Sequence, residues 1–187
     1  MTQFVKYLFV GLGFATVVEV INMGILQGNW TGMIATLLIA YSIFIAFSYF
    51  LQKRFGVSAK KLVVAYIIMG FIGLILIEWI LIGTPLNSSQ SLLSIFIFQF
   101  GIFNYWATVG FAPRLFLDHR EFVKPIKKKF LRFYFIWFVC VYVLGLLLLG
   151  DHIRFVFMQV FSAAGHIILV WFYFLYFKKI AITEGEQ

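Results

Sequence analysis

The chain has 187 residues, 63% of them hydrophobic and only 12% charged, with a formal net charge of +8. A soluble domain of this length needs far more polar surface to cover its core, so lipid is the expected solvent. A nucleic-acid role would need a folded basic domain, and the composition leaves no room for one; the positive charge is read as contact with anionic membrane lipids or lipid phosphates.

Six apolar runs, each close to the ~20 residues that cross a bilayer, predict an all-α, polytopic transmembrane bundle of six helices forming one domain, 1–187. Helix 1 is expected at about 4–26, ending in the polar turn QGNWTG. Its apolar run is longer than that of a signal peptide and no A-x-A-like site follows, so it is expected to be retained. Helix 2, about 31–51, ends in QKRFGVSAKK with Lys53, Arg54, Lys60 and Lys61. Helix 3, about 62–83, leads into the uncharged turn GTPLNSSQS. Helix 4, about 92–112, is expected to stop near Pro113. The longest loop follows, RLFLDHREFVKPIKKK, and its first half mixes apolar and charged residues as a short interfacial helix does. Helix 5 is expected at about 130–149. A tight turn with Asp151, His152 and Arg154 then leads to helix 6, about 155–177, followed by Lys178, Lys179 and an acidic tail.

Fourteen of the fifteen Lys and Arg residues fall near the N-terminus, in or beside the gaps after helices 2 and 4, and near the C-terminus; Arg154 is the exception. Basic loops stay cytoplasmic, which places both termini there. Trp30 and Trp79 then fall near the outer interface, where indole rings are favoured. Short turns make neighbouring helices antiparallel hairpins. Segment 5–21 aligns without gaps on 64–80, matching Val5/Val64, Tyr7/Tyr66, Gly11/Gly70, Glu19/Glu78 and Ile21/Ile80. This reads either as a repeated two-helix hairpin or as the chance likeness of two apolar helices. Cys140 is the only cysteine, so a disulfide within the chain is impossible.

Glu19 and Glu78 are the sharpest chemical signal, because carboxylates are rare and costly inside spans. Each lies about two turns from the outer end of its helix, on the order of 10 Å deep at the helical rise. One reading is a polar patch for a substrate headgroup or a proton; the other is a satisfied interhelical hydrogen bond. Gly11, Ala15, Glu19 and Asn22 share one stripe of helix 1, and Gly70, Leu74 and Glu78 one of helix 3. Small residues mark close packing in membranes, so both glutamates are expected to face inward. Gly101, Asn104 and Thr108 on helix 4, and Gln159, Ser162 and His166 on helix 6, form further polar stripes. Glu19, Glu78, Gln99 and Gln159 fall at similar depth and would form one polar layer. Helix 5 has no comparable stripe and is expected to be peripheral. His166 reads more readily as a hydrogen-bonded core histidine than as a ligand, since no partner ligands share its depth. No metal-ligand cluster and no nucleophile with a nearby base stands out. The expectation is therefore a protein that is not an enzyme and carries no metal or other cofactor. The basic loops read either as orientation and leaflet signals or, at Lys53, Arg54 and Arg114 near helix ends, as a phosphate-collecting set. Lys127, Lys128 and Lys129 sit farther out and fit the first reading.

Helix 1 opens with FVKYLFVGLGFATVVEV and helix 2 closes with SYFLQKRFGV. Through Phe4, Lys6, Tyr7, Val10 and Gly11 in the first, and Tyr49, Leu51, Lys53, Arg54 and Phe55 in the second, roughly the first hundred residues resemble the GtrA family of small membrane proteins. Gln52 stands where that family usually has Asn. The family usually has four helices, and GFAPRLFLD at the end of helix 4 keeps only a basic-aromatic trace of its ending, so the resemblance is silent on helices 5 and 6. It implies a flippase-like role in the bacterial cytoplasmic (inner) membrane. Such a protein moves or presents a polyprenyl-phosphate-linked sugar, beside a glycosyltransferase of cell-surface polysaccharide synthesis. On that reading Lys53, Arg54 and Arg114 hold the phosphate, and Glu19, Glu78, Asn104 and His166 offer hydrogen bonds to the headgroup. The alternative is a non-catalytic structural or accessory subunit of a larger membrane complex. A third option is a proton-coupled carrier using Glu19 or Glu78.

Overall fold

The computed structural model describes residues 2–55, 58–82, 92–145 and 151–185, and all regular structure among them is helical. The predicted turn at 83–91 and the predicted helix end at 146–149 lie outside the described residues, as do the side chains of Asp151, His152, Arg154, Gln159 and Ser162. Helix α1 runs Gln3–Glu19 and continues as a π-helical stretch, Val20–Leu26. Thr2 starts it, its hydroxyl accepting from the Val5 N–H at 3.4 Å. The predicted turn follows, with Gly28 at φ 67°, where a side chain would be strained. The Asn29 side chain caps α2 by accepting from the Gly32 N–H at 3.0 Å. Helix α2 comprises Trp30–Thr36, a π-helical stretch Leu37–Tyr41, and Ser42–Phe55. Helix α3 is Ala59–Ile72 continued by the π-helical Gly73–Ile82. Helix α4 is Leu92–Leu117. After a short 3-10 turn, Glu121–Val123, helix α5 runs Lys124–Phe138 and Val139–Leu144, the latter π-helical. Helix α6 is Asp151–Gly185.

Among the described residues, five stretches are long and apolar enough to cross a membrane: Gln3–Ile25, Trp30–Arg54, Ala59–Ile80, Ile95–Leu117 and Ala164–Thr183. Their outward residues, among them Phe9, Leu38, Ile43, Ile80 and Phe96, are large, apolar and exposed. A surface of that kind is stable in hydrocarbon and not in water. The bundle is that of an integral membrane protein.

Helix α4 is the hub, packing against α1, α2, α3 and α6. Residues 106–113 are all buried, so this stretch is enclosed on every side. The predicted stop at Pro113 is corrected: α4 runs through the proline to Leu117. A proline inside a membrane helix persists where neighbours satisfy the backbone groups it displaces. One residue from the Val109 carbonyl, to which Pro113 has no N–H to give, the Gly110 carbonyl takes hydrogen bonds from α1 and α2, as described below. The Lys127 ammonium donates to the Phe116 carbonyl at 2.7 Å, and to that of Asp118, satisfying the end of α4.

The loop after α4 is also shorter than expected. Its first half completes α4, and its second half, not its first, is the separate helical segment. Pro125 sits in the first turn of α5, where its missing N–H costs nothing. Ile126, Phe130, Tyr134, Trp137 and Val141 form the buried stripe of α5, which packs chiefly on α6. Lys124, Lys128, Lys129 and Arg132 lie exposed. Among the described residues α5 does not reach the length and apolarity of a span. Helix α6 is longer at both ends than the expected 155–177: the turn at Asp151 is its first turn, and beyond Lys179 the buried Ile180 still anchors it to the core.

Candidate functional site

Near the basic ends of α1, α2 and α4, three residues lock the helices together. Pro113 has no N–H to give the Val109 carbonyl. Gly110, with no side chain, lets its neighbours in close; a Cβ there would lie 2.8 Å from both Met69 Sδ and Ser48 Oγ. The Tyr7 hydroxyl donates to the Gly110 carbonyl at 2.5 Å. Gln52 Nε2 donates to the Tyr7 hydroxyl at 2.5 Å and to the same carbonyl at 2.9 Å. All three residues are buried.

Beside this clamp opens a cavity of about 560 Å³. Its charged lining is Lys53, Arg114 and Arg120 against one carboxylate, Asp118; Tyr7, Tyr49 and Tyr176 add hydroxyls, and Gln3 and Gln52 amides. Asp118 is tied down from three directions. The Arg120 guanidinium donates to it through Nε at 3.0 Å and Nη2 at 2.5 Å, the Arg120 backbone N–H at 3.0 Å, and the Tyr176 hydroxyl at 2.8 Å. Burial alone would raise the Asp118 carboxyl. The hydrogen bonds from Arg120 and Tyr176, with the guanidinium charge, outweigh it and hold the carboxyl below its ordinary value. Burial lowers the Lys127 ammonium.

A carboxyl lowered on folding stabilises the fold above its unfolded-state pKa, and that stabilisation is lost as pH falls through the folded-state value. Asp118→Asn is therefore expected to cost about 1–2 kcal/mol at pH 7. The gap to wild type should close as pH drops below the ordinary carboxylate range. Thermal unfolding of both proteins in detergent at pH 7 and pH 3 checks this; a gap of the same size at both pH values would contradict it.

The cavity gathers two of the three cations expected to collect a phosphate, Lys53 and Arg114. Arg54 is exposed and does not line it. Asp118, Arg120 and Tyr176 were not singled out in the sequence, because a carboxylate two residues from an arginine in a basic loop looks like ordinary solvated charge.

Toward the opposite end lies a second polar cluster. Glu19 is 9% exposed and accepts a hydrogen bond at Oε1 from the Tyr41 hydroxyl. The Tyr41 and Tyr105 hydroxyls are 2.6 Å apart. The Tyr41 O–H is committed to Glu19, so in that pair Tyr105 donates and Tyr41 accepts. Glu78, half-buried, accepts from Trp106 Nε1 at 2.9 Å. The Tyr41 and Trp106 rings stack, centroids 4.6 Å apart. The two glutamates are thus linked through stacked aromatic donors. Gln99 follows the same pattern, accepting from Trp79 Nε1 at 2.9 Å. π-helical turns begin just after Glu19, end at Tyr41 and enclose Glu78. Such turns are rare and gather at functional positions.

The matched positions of α1 and α3 do matching work. Tyr7 and Tyr66 both donate to α4, the second to Asn104 Oδ1 at 3.1 Å. Asn104 also donates from Nδ2 to the Phe100 carbonyl at 2.7 Å. His166 is 3% exposed and meets the rings of Tyr105 and Trp137 edge-on at 5.3 and 5.0 Å. Tyr41, Tyr105 and Trp106 do not stand out in the sequence. The available signal was polarity: a tyrosine or tryptophan deep in a span must find a partner for its O–H or N–H. Among the described residues no group of three or more His, Cys, Asp and Glu is placed to hold a metal ion. Against protein-family models, curated proteins and solved structures, the chain gives no match.

Proposed function

We propose that this membrane protein binds the phosphate of a polyprenyl-phosphate-linked sugar and moves or presents it across the bacterial cytoplasmic membrane, without itself catalysing a reaction. Both chain termini lie on the cytoplasmic side, and a glycosyltransferase of surface-polysaccharide synthesis works beside it. The cavity at the basic end carries this reading. Lys53, Arg114 and Arg120 supply charge for a phosphate, while tyrosine hydroxyls and amides suit a hydroxyl-rich headgroup. The exposed apolar flanks of the helices suit a long isoprenoid tail. The likeness of the α1 and α2 sequences to the GtrA family supports the same substrate class.

Deeper in the bundle, Asn104, His166, Glu19 and Glu78 form the polar route for the headgroup. A dry route is prohibitive, because each unpaired hydroxyl in an apolar medium costs several kcal/mol. Mass spectrometry of lipids retained after gentle solubilisation tests the reading. A polyprenyl-phosphate species at near-stoichiometric level supports it. Its absence, with large proteins retained instead, favours an accessory subunit of a membrane complex.

The route has its own test in vesicles. Glu19→Gln with Glu78→Gln keeps an acceptor for Tyr41 and Trp106, and transfer of labelled lipid-linked sugar should stay within about threefold of wild type. Glu19→Leu with Glu78→Leu orphans both donors, and transfer should fall at least about tenfold. Full transfer by the double leucine protein would take the glutamates out of the mechanism.

A further inference from the structure

We propose that Gln52 is a specificity-determining residue of the cavity: its Oε1 accepts a hydrogen bond from a hydroxyl of the bound headgroup, so a sugar ester is selected over a bare phosphate ester of equal charge. This rests on the reading of the cavity as a lipid-phosphate site.

Gln52 is 2% exposed and lines the cavity. Its amide nitrogen is committed to the helix clamp, donating to the Tyr7 hydroxyl at 2.5 Å and the Gly110 carbonyl at 2.9 Å, with Met69 Sδ at 3.6 Å. That geometry fixes which way the amide points. Turned over, it would set oxygen against the Gly110 carbonyl oxygen, two acceptors with no proton between them. Oε1 is left without a hydrogen-bond partner among the described residues. A buried acceptor with no donor is costly, and the complex that supplies a donor recovers that cost.

The ligand that fits has a phosphate for Lys53 and Arg114 and, next to it, an O–H for Gln52. A phosphodiester has no O–H of its own, so the donor comes from the group esterified to it. A hexose brings several hydroxyls. A methyl ester brings none, with the same charge and the same tail. A site with a buried polar group aimed at a hydroxyl discriminates strongly against an analogue lacking it, because the group is then left unpaired.

The test uses the full chain in nanodiscs of phosphatidylcholine, with two probes: a polyprenyl phosphoryl hexose and the methyl ester of the same polyprenyl phosphate. Wild type is expected to bind the hexose ester about tenfold more tightly. Gln52→Met removes the acceptor and should bring the ratio to about one. Gln52→Glu loses the same clamp donor but keeps an acceptor. Its affinities for both probes should fall, since the new charge opposes the phosphate, while the ratio stays within about twofold of wild type. The ratio separates the acceptor from the clamp, which weakens in both variants. Equal binding of the two probes by wild type would overturn the assignment and leave the phosphate site standing, as would a tenfold preference surviving in Gln52→Met. Should Gln52→Met not fold, Gln52→Leu, which also lacks the acceptor, takes its place, and its ratio too should fall to about one. Binding of neither probe by wild type would overturn the phosphate site itself, and the assignment with it.

Discussion

Replacing Lys53 and Arg114 together with glutamine is expected to weaken binding of a polyprenyl-phosphate-linked sugar about 100-fold. Both side chains line the cavity at the basic end, and Arg114 is partly buried there. A hydrogen bond to a charged group is worth about 1.5–3 kcal/mol, roughly tenfold or more for each cation lost. Arg120 remains, but Asp118 already holds its guanidinium through Nε and Nη2. Lys128 and Lys129 make the control. They are exposed on α5 and do not line the cavity. Replacing both with glutamine removes the same formal charge from the chain and should change binding by less than about threefold at physiological salt, where exposed charges are screened. Equilibrium binding in neutral-lipid nanodiscs measures both. Equal losses from the two double variants would mean that charge at the membrane face, and not the cavity, attracts the ligand.

Gly165→Ala is expected to destabilise the bundle by about 3 kcal/mol or more. A Cβ on Gly165 would fall inside the Trp137 indole, against the ring atoms Cε2, Nε1 and Cζ2. The ring has no easy retreat, since Trp137 Nε1 donates to the Phe161 carbonyl at 3.0 Å and the Tyr134 ring lies 6.0 Å away. The seam between α5 and α6 would have to open, and His166, edge-on to the same indole, would move with it. Gly13→Ala is the counterpart. Nothing lies within 4 Å of a Cβ there, so the change should stabilise α1 by roughly 0.5–1 kcal/mol through helix propensity alone. Thermal unfolding in detergent reads both, and a melting temperature of Gly165→Ala equal to wild type would refute the seam.

Residue type and spacing made much of this legible. The turn before α2 was visible as QGNWTG, and Gly28 and Asn29 play the parts that glycine and asparagine play in turns and caps. The inward stripe of Gly11, Ala15 and Glu19 was visible because small residues at helical spacing mark contact. Lys53 and Arg114 stood out as cations close to helix ends. The errors share one cause. Pro113 ends a helix in water, but here α4 runs on through it, enclosed by its neighbours and with the Lys127 ammonium on carbonyls at its end. The lysine run that opens α5 looked like loop because charge and helix seem opposed; at a membrane face a helix keeps its lysines in water and buries its other side. Gln52 entered only as a family position, since one amide at a helix end gives no sign of binding three helices together.

The sequence by itself determined the solvent, the helical class and the segregation of cations between alternate gaps. These follow from hydropathy and charge summed over long stretches, which no single contact can reverse. The tertiary structure decided which polar groups meet. It placed Tyr41 and Trp106 against the two glutamates, Asp118 under Arg120 and Tyr176, and Gln52 between Tyr7 and Gly110. Apart from Asp118 with Arg120, those pairings join residues tens of positions apart, and their existence depends on how the helices rotate and cross. Rotation and crossing are set in turn by glycine contacts and ring packing on α4, on a scale of ångströms that local pattern does not carry.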